Sequence, residues 1–284
     1  MMSGRAKLAG VMGWPVGHSL SPRLHGHWLR HYGVDGAYVP LAVEPQHLEQ
    51  ALRALPVLGF RGVNLTLPHK EKALRLVDHI DPHAFRIGAV NTVVVREDGT
   101  LEGANTDAFG FQENLATHGF RNTNKKATAT VLGAGGAARA VIVALQDMGF
   151  GDIRLVNRTR ERAEQCAVSL RHPGARKITV YDWPELPRVL EKTALLVNTT
   201  TLGMEGQEPL EIDLTPLPPE AWVTDIVYTP LITALLRQAQ QKGHPIVDGL
   251  GMLLHQARPG FAAWFGVEPE VTEDLRRAVC ADDE

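Results

Sequence analysis

The most specific chemical signal in the chain is the stretch VLGAGGAARA, residues 131–140, an apolar run that turns on glycine and continues in helix-forming residues. Gly133, Gly135 and Ala138 fill the spacing G-x-G-x-x-G/A, with Ala134, Gly136 and Ala137 between them. In that spacing the first glycine permits a tight turn and the second lets a pyrophosphate approach the backbone. The third small residue lets the helix pack closely on the strand. The unpaired N–H groups and positive dipole end of the helix then face the phosphates. A glycine-rich turn with no ligand is the alternative, but a strand before and a helix after favour a dinucleotide. An NAD site usually carries an acid at the end of the next strand, where it holds the ribose 2′-hydroxyl. Asn157-Arg158-Thr159-Arg160 stands there instead. The planar guanidinium of Arg158 suits both stacking on adenine and pairing with a 2′-phosphate. A solvated, charged helix start explains Arg160 and Arg162 but not the missing acid, so NADP is expected rather than NAD.

A second group of residues suits work on a small polar substrate. Thr66-Leu67-Pro68-His69-Lys70 closes a strand and opens a helix, with Pro68 expected at the first helical position and Lys70 in the first turn. A lysine there opposes the helix dipole at a cost of about 0.3–1 kcal/mol. The same dipole favours release of its proton, which suits a proton donor. A solvated lysine beside Lys72 is the bland reading. Asp107, after Asn105 and Thr106, is equally readable as a helix cap or as a catalyst. Asn91-Thr92 interrupts a run that otherwise reads as strand, so the pair is either hydrogen-bonded structure or a site wall. Ser19 and Ser21 place two hydroxyls at a helix start, a ready carboxylate site. Capping alone accounts for Ser21 but not for Ser19. Gly249, Met252 and Gln256 share one helix face by their spacing, although Gly249 can equally serve only to start the helix. His27 and His31 have helical metal-ligand spacing but no evident acid or third ligand, and exposed or packing histidines are the simpler reading.

These side chains need elements to place them. Short apolar runs alternate with amphipathic stretches, which predicts α/β architecture with mostly parallel strands. Strands are expected at 8–12, 37–42, 62–65, 89–96, 100–104, 129–132, 153–157, 178–181, 195–198, 223–227 and 246–247. Helices are expected at 22–31 with Ser21 as N-cap, and at 47–54, 68–77, 107–118, 136–148, 160–170, 231–241, 250–265 and 269–280. The polar run RNTNKKAT, residues 121–128, reads as a surface connection, and 205–220 as a long irregular loop. At 284 residues the chain exceeds what one core usually serves, so two domains are expected. A net charge of -3 gives no electrostatic reason to expect nucleic acid or an anionic membrane as partner. Cys166 and Cys280 lie far apart, which argues against a disulfide framework and for a reducing compartment. No signal-peptide pattern and no membrane-length apolar run is present, so a cytoplasmic protein is expected.

Taken in order, GWPVGHSLSP (13–22), NLTLPHK (64–70), GAVNT (88–92), NTDAFG (105–110), GAGGAA (133–138), NRT (157–159), NTTTLGM (198–204) and DGLGMLLHQ (248–256) resemble the shikimate dehydrogenase family across nearly the whole chain. The resemblance implies an N-terminal α/β substrate domain, residues 1–108, completed by C-terminal helices at 249–284. A Rossmann NADP-binding domain, residues 109–248, is inserted between them. It implies NADPH-dependent, reversible reduction of 3-dehydroshikimate to shikimate, on the route to chorismate and the aromatic amino acids, by a homodimer. Lys70 and Asp107 would form the catalytic pair. Ser19 and Ser21 would hold the substrate carboxylate, Thr66, Asn91 and Gln256 the ring hydroxyls, and Tyr228 would face the substrate. Gly133, Ala134, Gly135, Gly136, Ala137, Ala138, Asn157, Arg158, Thr159, Ile226 and Gly249 would line the cofactor. No metal is implied. Ala138 departs from the serine many relatives carry, a change the fingerprint allows. A quinate-using relative is the nearest alternative, but Ser21 and Arg158 both favour shikimate and NADP. A non-catalytic NADP sensor is a further one, against which the retained Lys70 and Asp107 speak.

Overall fold

The computed structural model describes residues 2–172, 174 and 176–280, and the chain divides into two compact units, 1–106 with 254–284, and 107–253. The first unit is built on a six-stranded sheet of β1 (Lys7–Gly13), β2 (Gly36–Ala42), β3 (Phe60–Leu65), β4 (His79–Ile80), β5 (Thr92–Val95) and β6 (Leu101–Ala104), in the order β2-β1-β3-β5-β6-β4. β1 runs parallel to β2 and β3, whereas β5 is antiparallel to both β3 and β6. Pro40 sits in β2 at the sheet edge, where a missing N–H costs no ladder bond. The β5–β6 turn closes as its residues predict, with Gly99 at φ +83° and the Asp98 carboxylate accepting from the Thr100 N–H at 2.9 Å.

The helices in the N-terminal part of this unit are α1 (Ser21–His31), α2 (Leu48–Ala54), α3 (Lys70–Ala73) and α4 (Pro82–Ile87). The helix expected at 68–77 shrinks to α3, because the His69 N–H closes a turn on the Thr66 carbonyl and only turns follow Ala73. α4 escaped the sequence reading despite a clear start: Asp81 accepts from the His83 and Ala84 N–H groups and Pro82 follows it. Ser21 is not the N-cap of α1. Leu20 takes that position and its carbonyl accepts from Leu24 N–H at 3.0 Å, which leaves Ser21 as the first helical residue. Of the expected strand at 89–96, the segment 89–91 is irregular: Val90 N–H bonds the Lys70 carbonyl and Asn91 N–H the Ala104 carbonyl.

The C-terminal part of the first unit covers this sheet, and the last helix is α11 (Glu273–Cys280), shorter than expected. Trp264 is 2% exposed and donates its indole N–H to the Val93 carbonyl at 3.0 Å, and a Cβ on Gly62 would meet that indole nitrogen at 2.2 Å. Trp28 on α1 donates to the Glu270 carbonyl at 3.0 Å. Each such buried aromatic contributes on the order of 1.5–3 kcal/mol of burial.

The second unit opens with α5 (Asp107–Thr117) and carries a fully parallel sheet of β7 (Thr128–Leu132), β8 (Asp152–Asn157), β9 (Ile178–Asp182), β10 (Thr193–Asn198), β11 (Trp222–Asp225) and β12 (Ile246–Val247). The order β9-β8-β7-β10-β11-β12 is the 3-2-1-4-5-6 order of a doubly wound dinucleotide-binding sheet, with its switch point between β7 and β10. All five residues of β7 are buried, as a central strand covered on both faces requires. Its helices are α6 (Gly136–Asp147), α7 (Arg160–Ser169), α8 (Leu186–Leu190) and α9 (Ala234–Gln241). α8 was not expected, and α9 starts later than expected, capped by the Thr233 hydroxyl. The segment 205–220 is irregular, yet Leu210, Ile212, Leu214 and Leu217 pack into the core with Leu196 and Val223. α10 (Leu250–Phe265) begins in the second unit: a Cβ on Gly251 would overlap Asn114 Oδ1 at 1.8 Å, and Asn114 Nδ2 donates to the Asp248 carbonyl at 2.7 Å. Among the described residues no helix is long and apolar enough to cross a membrane.

Candidate active site

In the first unit the expected polar residues cluster where β1 and β3 end. β1 runs into the loop bearing Ser19, whose Oγ accepts from the Ser21 N–H at 3.3 Å. The Ser21 side chain is buried, does not cap α1, and hydrogen-bonds the Tyr38 hydroxyl. Thr66 follows β3, half-buried, and its Cγ2 would lie 2.4 Å from a Cβ on Gly13, so that close approach depends on glycine. Lys70 is the first residue of α3 and half-buried. Its carbonyl accepts from Val90 N–H at 2.8 Å, which ties the lysine backbone to the segment bearing Asn91.

Asn91 and Gln256 meet, although 165 residues separate them: Asn91 Nδ2 donates to Gln256 Oε1 at 3.3 Å and to Thr106 Oγ1 at 3.0 Å. Asn91 Oδ1 accepts from the Thr106 N–H at 2.9 Å and from the Thr92 hydroxyl at 2.9 Å. Asn64 extends this network, donating to the Asn91 carbonyl at 3.2 Å and to Thr92 Oγ1 at 3.1 Å. Tyr38 completes it by donating its hydroxyl to Asn64 Oδ1 at 2.6 Å. His25 stacks on Tyr38 with ring centroids 3.9 Å apart, and burial pushes the imidazole down to about 3, so it is neutral. Tyr38, Asn64 and Thr106 join the expected residues in this network. The only sequence signal was a polar residue in an otherwise apolar strand, as at Asn64. Tyr38→Phe should destabilise the protein by about 1–3 kcal/mol, since Asn64 Oδ1 loses its donor inside a buried network. Urea unfolding reads this directly; a change below about 0.5 kcal/mol would mean that the hydroxyl does not tie the network together.

The second unit places the glycine turn directly after β7. Gly133 has φ +100°, and a Cβ there would meet Thr199 Oγ1 and Thr200 Cγ2 at 2.9 Å, so both handedness and space demand glycine. Gly135 and Gly136 differ: a Cβ at either meets nothing within 4 Å, and both are exposed. Protein packing therefore does not explain them, whereas a phosphate laid against the backbone does. Gly135 occupies the N-cap position of α6 without a side-chain cap, and Ala138 is fully buried against the sheet. Ala134 and Ala137 are half-buried beside them.

At the end of β8, Asn157 Nδ2 closes the following turn on the Thr159 carbonyl at 2.8 Å. Arg160 is committed to ion pairs with Glu164 and Asp182, each at 2.9 Å. Arg158, by contrast, is exposed and pairs with no described carboxylate. Ile226 follows β11, and a Cβ on Gly249 would meet its carbonyl carbon and oxygen at 2.5 Å. Tyr228 is half-buried, and burial raises its phenol above the usual range. Asp107 opens α5, half-buried. The residues expected to line a cofactor thus gather at the carboxyl ends of β7, β8 and β11, where a dinucleotide binds in a sheet of this order.

His27 does have an acid near it, Asp274 Oδ2 at 3.6 Å, which sequence order did not reveal. Among the described residues no group of three or more potential ligands could hold a metal ion. Cys166 is buried and Cys280 exposed, and no disulfide joins them.

Comparison with known proteins bears on both units. Residues 11–93 match the family model described as shikimate dehydrogenase substrate binding domain, and 114–203 the one described as shikimate / quinate 5-dehydrogenase. The chain is 61% identical to a shikimate dehydrogenase (NADP(+)) of Paramagnetospirillum magneticum, over 98% of this chain and 99% of that protein. A structure of shikimate 5-dehydrogenase from Thermus thermophilus in complex with NADP(H) and shikimate is similar with TM-score 0.83 and 38% identity, over 96% of this chain and 98% of that one. Quinate dehydrogenase from Corynebacterium glutamicum in complex with NAD is similar with TM-score 0.88 at 30% identity, over 96% and 97%. Backbone similarity therefore does not separate the two substrates, and side chains must.

Proposed function

The chain belongs to the shikimate dehydrogenase family, and from that premise we propose that it reduces 3-dehydroshikimate reversibly to shikimate with NADPH, in the shikimate pathway. The observation that carries the cofactor half is the exposed pair Gly135 and Gly136, open to a phosphate, with Arg158 exposed at the end of the neighbouring strand and paired with no described carboxylate. The first unit serves mainly the substrate and the second mainly the cofactor; the units divide at 106/107 and 253/254 rather than at 108/109 and 248/249.

When bound, NADPH supplies the hydride that reaches the C3 carbonyl carbon. Lys70 donates a hydrogen bond to the C3 oxygen as it gains charge, and then its proton. Asp107 orients the lysine and holds a substrate hydroxyl. Asn91 and Gln256 hold ring hydroxyls together with Thr66, and the buried network behind Asn91 keeps its amide from rotating. Ser19 and Ser21 bind the substrate carboxylate, a role for which Ser21 has a hydroxyl not spent on capping. Tyr228 faces the substrate. Gly133, Gly135 and Gly136 with Ala134, Ala137 and Ala138 receive the pyrophosphate; Asn157, Arg158 and Thr159 receive the adenosine end, and Ile226 and Gly249 the nicotinamide end. A homodimer and a cytoplasmic location follow from the same resemblance.

Initial rates with shikimate and with quinate, each with NADP+ and NAD+, test the reading. Shikimate with NADP+ should exceed every other pairing in kcat/KM by more than about tenfold, which corresponds to about 1.4 kcal/mol. Quinate with NAD+ turned over as well would move the chain to the quinate-using branch. No turnover in any pairing, with NADP+ binding intact, would favour the sensor.

A further inference from the structure

Among the described residues Asp225 is the one buried aspartate or glutamate, and the reaction as derived does not use it. It ends β11 with no exposure. Its Oδ1 accepts from Asn198 Nδ2 at 2.9 Å and from Val227 N–H at 3.0 Å, and its Oδ2 from the Thr233 hydroxyl at 2.8 Å. An acceptor-only carboxylate suits three donors. Burial raises its pKa, and the three donors pull against that rise.

Each partner controls a different segment. Asn198 ends β10, and its Oδ1 accepts from the Thr200 N–H and hydroxyl at 3.0 and 2.8 Å. Val227 lies inside the turn that carries Ile226 and Tyr228. Thr233 caps α9 through the Leu236 N–H at 3.3 Å. Ile226 N–H also bonds the Asn198 carbonyl at 3.1 Å, and its own carbonyl lies against Gly249. The carboxylate therefore holds the 226–228 turn directly at Val227 and, through Asn198, beside Ile226.

We propose that Asp225 is a positioning residue for hydride transfer, whose carboxylate sets the 226–228 turn so that Ile226 and Tyr228 present the nicotinamide and substrate correctly. The proposal rests on the reading of Ile226 and Tyr228 given above. A turn displaced by an ångström is enough to cost about 10²-fold in rate. The adenosine end, held at β8 by Arg158, is independent of this turn.

The test measures kcat, both KM values and the Kd of adenosine 2′,5′-bisphosphate, a probe of the adenosine end alone. Asp225→Ala should lower kcat by about 10²-fold and leave the bisphosphate Kd within about twofold. Asp225→Asn should recover most of kcat, because its carbonyl oxygen takes both N–H donors and its NH2 faces a Thr233 oxygen able to accept. Thr233→Val removes one donor at nearly constant shape, and serves if the alanine variant does not fold. It should lower kcat by more than about threefold with bisphosphate binding unchanged. Equal loss of kcat and bisphosphate binding, or an unchanged kcat, would overturn the proposal. So would a folded Asp225→Asn enzyme without activity, since its geometry would be intact. Ile226→Ala and Tyr228→Phe separate the two layers. If they alter kcat or KM and the Asp225 variants do not, the proposal alone fails; if they are silent, the reading of the turn fails and the proposal with it.

Discussion

Lys70→Ala should lower kcat by about 10²–10⁴-fold while changing the KM for shikimate little. The expectation comes from where the lysine stands. It is the first residue of α3, a helix of only four residues, and it is half-buried. Its carbonyl accepts from the Val90 N–H, which ties its backbone to the segment that carries Asn91. In the proposed role the hydrogen bond from Lys70 would strengthen only as the C3 oxygen gains charge, so its loss would fall on the transition state and hence on kcat. Lys70→Arg should not restore the rate, because a guanidinium is larger and does not give up its proton. Steady-state rates with shikimate varied at saturating NADP+ decide the matter. A raised KM with an unchanged kcat would leave Lys70 a binding residue and remove it from the chemistry.

Arg158→Asp should reverse the cofactor preference. In the structure Arg160 is held by Glu164 and Asp182, so it is Arg158 that remains available to a 2′-phosphate. The substitution removes a charge-assisted hydrogen bond of about 1.5–3 kcal/mol, or one to two powers of ten in KM for NADP+. It also adds repulsion in the same direction. The KM for NAD+ should change far less, and should improve if the new carboxylate reaches the ribose hydroxyl. The measurement is kcat/KM for both cofactors at saturating shikimate. A variant that keeps its preference for NADP+ would reduce Arg158 to a surface arginine.

What was legible in the sequence is what neighbouring residues decide together. The glycine turn at 133–138 is local chemistry: Gly133 needs a left-handed φ, Gly135 and Gly136 leave the backbone open beside the helix start, and Ala138 is fully buried and must be small. The parallel strands of the second unit were equally plain, because burial on both faces writes an unbroken apolar run such as the one in β7. Short elements were not: α4 and α8 hold six and five residues, too few for a helical period to show. The segment 205–220 reads as loop and is irregular, yet it donates four side chains to the core, since a buried residue needs only a place in the packing and not a periodic element. Ser21 has the residue type of a cap, but the helix begins where the Leu24 N–H bonds the Leu20 carbonyl. The site depends on both levels. Lys70, Asp107 and the serines could be named from their order along the chain, but Tyr38 and Asn64, Asn91 and Gln256, or Asn198 and Asp225 are brought together over 26, 165 and 27 positions. Hydrogen bonds are short-ranged and directional, so a polar side chain in a strand does not reveal its partner until packing has placed the donor within about 3 Å.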